Sequence, residues 1–140
     1  MSADSGSHLL ATDLLRHLAE QLSPRLPGGR TLLANGATLL ITSGNGQRVL
    51  VSETITIPEI EDRASIAPAA ARMLGEAQDA IAYHLMTSWP VDSEGRAGHP
   101  VAAIDGDELN LGFHRSDGGK VLVLEPYTLP DEPAEPIISG

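Results

Sequence analysis

Between Arg48 and Ile57, apolar and polar side chains take turns: Val49, Val51, Ile55 and Ile57 alternate with Arg48, Ser52, Thr54 and Thr56. A period of two gives an extended strand one apolar and one polar face. Leu109, Leu111 and Phe113 repeat the pattern against Glu108, Asn110 and His114. Four dipeptides punctuate the apolar runs: Asn35-Gly36, Asn45-Gly46, Asp105-Gly106 and Asp117-Gly118. Such pairs supply the two positive-φ residues of a type I′ turn, whose twist suits the strands it joins. The runs and turns together predict two antiparallel meanders of about three strands each, over residues 31–57 and 100–127.

Ahead of each meander the apolar period becomes that of a helix. Leu10, Leu14, Leu15, Leu18 and Leu22 form one stripe with Asp13, Arg16 and Glu20 off it, and the prolines and glycines of 24–29 end that helix. A second, longer helix is predicted from Ser65 as N-cap to a stop at Pro90, with Pro68 tolerated in its first turn. Ile66, Ala70, Met73, Leu74, Ala77, Ile81 and Leu85 line one face of it, and Arg72, Glu76 and Asp79 another. The acids of Glu59 to Asp62 suit the positive end of its dipole. The predicted fold class is α+β: two helices packed on an antiparallel sheet built from two meanders, in the order α-βββ-α-βββ. Residues 1–130 form a single predicted domain. Residues 131–140, "DEPAEPIISG", are expected to be a flexible, acidic, Pro-rich tail.

This arrangement leaves one apolar face unexplained. In "KVLVLEPY", Val121 and Val123 point one way, Leu122 and Leu124 the other, while Leu40 and Leu50 stand on otherwise polar strand faces. With the helices on one side of the sheet, Leu40, Leu50, Leu122 and Leu124 would line the other, where a solvated antiparallel sheet should be polar. Either the chain itself covers that face, through the tail or the first helix, or another polypeptide does. Trp89, the single tryptophan, stands where helix two gives way to loop. It is either a cap folded over the edge of the core or a contact anchor.

Composition narrows the functional classes. Four aromatics in 140 residues imply an aliphatic core. A net charge of −10 argues against nucleic acid, whose binding depends on neutralising phosphates, and against anionic membrane surfaces. The absence of cysteine excludes disulfides, thiolate metal ligands and cysteine nucleophiles. No leader pattern and no long apolar run stands out, so a cytoplasmic protein is expected.

Candidate chemistry is sparse. "DGDELNLGFHRSDGG", residues 105–119, is rich in acids, but a calcium loop would need a ligand at Leu109 and a glycine at Asn110. Its acids are better explained as turn residues. His84, His99 and His114 lack the i, i+3 or i+4 spacing of helical metal ligands. Converging in space with Asp92 or Glu94, they would suit zinc. No phosphate-binding glycine motif, G-x-S-x-G or H-E-x-x-H occurs. No cofactor is expected.

The order helix, three strands, long helix, further strands resembles the small dimeric fold of type III secretion chaperones over roughly residues 8–127. That resemblance implies a homodimer that binds an extended segment of a client protein. Separately, "AQDAIAYHL", "SWP", "GHP" and "DGDELNL" in succession resemble a pattern in short actinobacterial proteins to which no activity is attached. The leading expectation is a chaperone- or adaptor-like protein-binding module, dimeric and without catalytic activity. Its partner-binding residues would be Leu40, Leu50, Trp89, Leu122 and Leu124. Two alternatives stand beside it: a metal- or small-ligand-dependent enzyme using His84, His99 and His114, and an immunity or antitoxin protein binding a basic toxin.

Overall fold

The computed structural model describes residues 3–43 and 48–129. Helix α1 (Ala3–Leu22) turns its leucine stripe inward, and Leu14, Leu15, Leu18 and Leu22 are fully buried. Helix α2 (Ile66–Leu85) likewise buries Ile66, Ala70, Met73, Leu74, Ala77 and Ile81. Both ends of α2 differ from the sequence expectation. Ser65 precedes the helix without capping it; the Asp62 carboxylate accepts from the Ser65 N–H at 3.0 Å, closing a capping box around the short turn Arg63–Ser65. The helix then stops at Leu85, ahead of Pro90. Met86 adopts the left-handed conformation (φ 59°, ψ 35°), and the N–H groups of Met86 and Thr87 bond back to the Tyr83 and Ala82 carbonyls, each at 3.2 Å. That is a Schellman closure.

The meanders form two sheets. The first holds β1 (Thr31–Asn35), β2 (Thr38–Thr42) and β3 (Val49–Thr54) in that order. The second holds β4 (His99–Asp105), β5 (Glu108–His114) and β6 (Lys120–Val123), with a two-residue β7 (Tyr127–Thr128) also beside β5. The α+β class and element order are as the pattern predicts. One apolar cluster joins both helices to both sheets, from Leu32, Leu39 and Ile41 to Leu109, Leu111 and Phe113.

The hairpin turns sit one residue later than expected. Asn35 pairs with Thr38 and Asp105 with Glu108, so the loops are Gly36-Ala37 and Gly106-Asp107. Only the glycines have positive φ there, 62° and 67°. Positive φ at the first central position alone marks a type II′ turn, so Asn35 and Asp105 stay extended and close the ladder. Asp117-Gly118 belongs to a longer loop in which the Gly118 N–H donates to the Arg115 carbonyl at 2.9 Å. Asn45-Gly46 and the tail at 131–140 lie outside the described residues.

The segment around β7 fastens α1 to the second sheet. The Tyr127 hydroxyl donates to Asp13 at 2.6 Å, His17 Nε2 donates to the Glu125 carbonyl at 3.0 Å, and the Glu125 N–H donates to Gln21 Oε1 at 3.0 Å. The His17 and Tyr127 rings meet edge-on at 5.3 Å. Burial and the Asp13 carboxylate both push the Tyr127 hydroxyl pKa up.

Candidate functional site

The five residues expected to bind a partner do not share one surface. In the second sheet Phe113 is opposite Leu122, and directly paired residues face the same side, so Leu122 points inward with the fully buried Phe113 ring. Leu124 follows it inward. Its N–H bonds to the Leu111 carbonyl at 3.1 Å and only 4% of it is exposed, which makes it part of the intramolecular core. The outward residue of this strand is Val123, exposed and opposite Gly112. The alternation in "KVLVL" holds only from Leu122 onward, with the leucines inside; Val121 is the extra residue of a bulge and packs against the core as well, beside Leu122.

The first sheet does have an open face, and Leu40 lies at its centre. Cross-strand pairing arranges that face in three rows: Thr31, Thr42 and Val49; Leu33, Leu40 and Ser52; Asn35, Thr38 and Thr54. None of the nine is charged. Leu33 is 51% exposed and Val49 is exposed too, while Thr42 is buried and in hydroxyl contact with Thr31. Leu50, 38% exposed, is the extra residue of a bulge, since Ile41 pairs with Val51 and Thr42 with Val49. Leu33 and Val49 were missed as site residues, although the alternation in "TLLAN" assigns Leu33 to the face of Leu40.

Trp89 and Leu122 meet elsewhere. They line an open groove of about 590 Å³ with Leu85, Val121 and Val91, and Arg25 is the charged residue at its wall. Trp89 itself is buried and packs edge-on to Phe113, ring centres 6.0 Å apart. Its indole therefore caps the core edge, with part of it forming the groove wall.

Two of the three histidines meet and the third lies apart. His99 is directly opposite His114, which is opposite Lys120. His84 instead accepts a hydrogen bond from Arg30 Nε at 3.0 Å. Among the described residues no three His, Asp or Glu side chains gather as a metal site would require. Asp92 serves another purpose. Its carboxylate accepts from the Glu94 and Arg96 N–H groups, each at 2.9 Å, and from Arg115 Nη1 at 3.1 Å. Those donors, the Arg96 amide foremost, hold its pKa below the usual carboxylate value. Asp117 is lowered in the same way by the Gly119 N–H and by Arg115. These two acids clamp the loop after Trp89 to the β5–β6 hairpin.

The remaining feature is the outer edge of β3. Along a strand, the N–H and C=O of successive residues point alternately to either side. The Ile55 N–H reaches the Ala37 carbonyl beside β2 at 2.9 Å, whereas the Thr56 N–H points away, to Glu76 Oε1 of α2 at 3.1 Å. By that alternation the backbone groups of Ser52 and Thr54 also point away from β2, and no strand among the described residues pairs with them. Below this edge, between β3 and α2, runs a groove of about 450 Å³ lined by Val51, Glu53, Ile55, Glu76, Asp79, Ala80 and Tyr83. No family model, curated protein or solved structure matches the chain.

Proposed function

We propose that the protein is a binding module without catalytic chemistry of its own, which takes another polypeptide on its first sheet. The observation that carries this reading is the open face centred on Leu33 and Leu40, an uncharged patch on a chain of net charge −10. On a chain of this charge a second copy meets net repulsion on approach, and on this face a partner finds aliphatic side chains with no acid among them. Leu33, Leu40, Val49 and Leu50 would lose their remaining exposure on binding.

Size sets the strength of self-association. Three strands about 4.8 Å apart, each of five residues rising about 3.3 Å, make a face of about 14 by 17 Å, or about 240 Å². A stable interface buries about 800 Å² on each partner. A homodimer held by this face alone is therefore weak and transient, and the main partner is another protein that extends beyond the face. Sedimentation velocity from about 5 to about 500 μM, spanning the range of weak association, tests this. Concentration-dependent, reversible self-association is the expected outcome; a strict monomer at the highest concentration would remove the homotypic contact.

A further inference from the structure

We infer that the outer edge of β3 and the groove beneath it receive an extended peptide segment carrying a lysine or arginine, added to the sheet as a fourth strand. The inference builds on the binding-module reading but uses a different surface. Strand addition leaves the Leu33–Leu40 face free, because edge hydrogen bonds lie in the plane of the sheet.

Three observations fix the occupant. First, Ser52 and Thr54 offer two N–H and two C=O groups to an incoming strand, and an α2 carboxylate already takes the next outward amide, that of Thr56. Main-chain hydrogen bonds of this kind supply affinity in strand-addition complexes, and pockets for alternate side chains supply selectivity. Secondly, Val51, Glu53 and Ile55 face the groove, so peptide residues opposite them project into it. The α2 wall continues from Glu76 through Asp79 and Ala80 to Tyr83, at the three- and four-residue spacing of one helix face. Thirdly, the charged lining is acidic throughout. Glu76 is engaged by the Thr56 amide and lies 3.8 Å from Arg72, but Glu53 and Asp79 make no ion pair among the described residues. A basic side chain opposite Glu53 meets both, with its stem on Val51, Ile55 and the 88%-exposed Tyr83 ring.

The same geometry disfavours a second copy in the groove. Two β3 edges that both use Ser52 and Thr54 for hydrogen bonds are centred on Glu53, which places the two carboxylates directly opposite each other. Like charges in that position destabilise a strand pair.

The test uses the full chain and a capped heptapeptide, Thr-Val-Thr-Arg-Thr-Val-Thr, in calorimetric titration and amide hydrogen exchange. Binding with new protection at Ser52 and Thr54 is expected. Replacing the peptide arginine with glutamate should weaken binding about tenfold or more, and the double variant Glu53→Gln/Asp79→Asn about three- to tenfold. Methylating the peptide amides that face β3 should abolish it. Binding that ignores peptide charge and amide methylation, protection confined to the Trp89 groove, or no binding at millimolar peptide would each overturn the inference. So would protection of Ser52 and Thr54 that rises with protein concentration alone, the signature of a second copy. Leu33→Asp separates this inference from the broader reading. Peptide binding that survives Leu33→Asp supports the groove on its own. Self-association without peptide binding sinks the groove and spares the module, and loss of both sinks both.

Discussion

Replacing Leu33 with aspartate should separate association from folding. Leu33 is 51% exposed in the isolated chain, so about half of its side chain remains to be buried by a partner. Full burial of a leucine stabilises by about 1.5–3 kcal/mol, so the missing half corresponds to about 0.8–1.5 kcal/mol. In a two-fold homodimer the loss occurs twice, about 1.5–3 kcal/mol. Each new carboxylate must also be desolvated against a face with no cation, at several kcal/mol per ion. At 1.4 kcal/mol per tenfold, self-association should weaken by at least about 100-fold. The monomer loses only a half-exposed strand residue, and strand propensity spans about 1 kcal/mol, so the urea midpoint should move little. Leu124→Ala provides the contrast. Leu124 is in the core, and this variant should cost about 2–5 kcal/mol of stability. Sedimentation velocity read beside urea denaturation decides the matter. If Leu33→Asp unfolds the chain as Leu124→Ala does, or associates like the parent, the open face is not the contact.

Three further outcomes follow from local geometry. A Cβ at Gly112 would stand 2.5 Å from the Leu122 carbonyl oxygen, so Gly112→Ala should force β5 and β6 apart, costing about 1–3 kcal/mol by chemical denaturation. Met86 is the one non-glycine residue with positive φ among those described and is 89% exposed, so Met86→Gly should relieve strain without losing packing. Its midpoint should rise by about 2–4 °C for about 1 kcal/mol gained. The Tyr127 pKa is raised in the folded chain, so its contribution is complete below the unfolded value of about 10 and is lost as pH rises through the folded value. Tyr127→Phe should therefore lower the urea midpoint at pH 8 and flatten its decline above pH 10, as paired titrations of variant and parent would show.

Much of the fold was legible because burial imposes a period. The α1 and α2 stripes, the alternation in β5 and the division into two meanders all express one face turned inward. What failed were questions that periodicity alone does not decide. Alternation in "KVLVL" neither says which side is inside nor reveals the bulge beside His114; the pairing of Leu122 with Phe113 turns the leucines inward, and the bulge brings Val121 against the core too. The dipeptides marked the corners, but glycine alone needed positive φ, so the loops began one residue late. Ser65 has the chemistry of a cap, yet Asp62 lies where its carboxylate reaches the first free amide. The edge groove was invisible because it joins β3 to a helix whose polar face looked like ordinary solvated surface.

Unpaired strand edges invite promiscuous association, and folded chains usually blunt them. The outer strands here show how selectively that has been done. In β1, the N–H of Leu32 is taken by the Ser23 hydroxyl at 2.8 Å. In β4, Pro100 has no N–H to offer. Strand β6 is four residues long and β7 two, too short to template much. Strand β3 is six residues long and has no proline, and among the described residues no side chain plugs the outward amides of Ser52 and Thr54. Its bulge at Leu50 confines the regular edge to the stretch around Ser52 and Thr54, and Glu53 between them repels acidic strands. These features restrict what pairs with the edge without closing it, as the inferred addition of a basic strand requires.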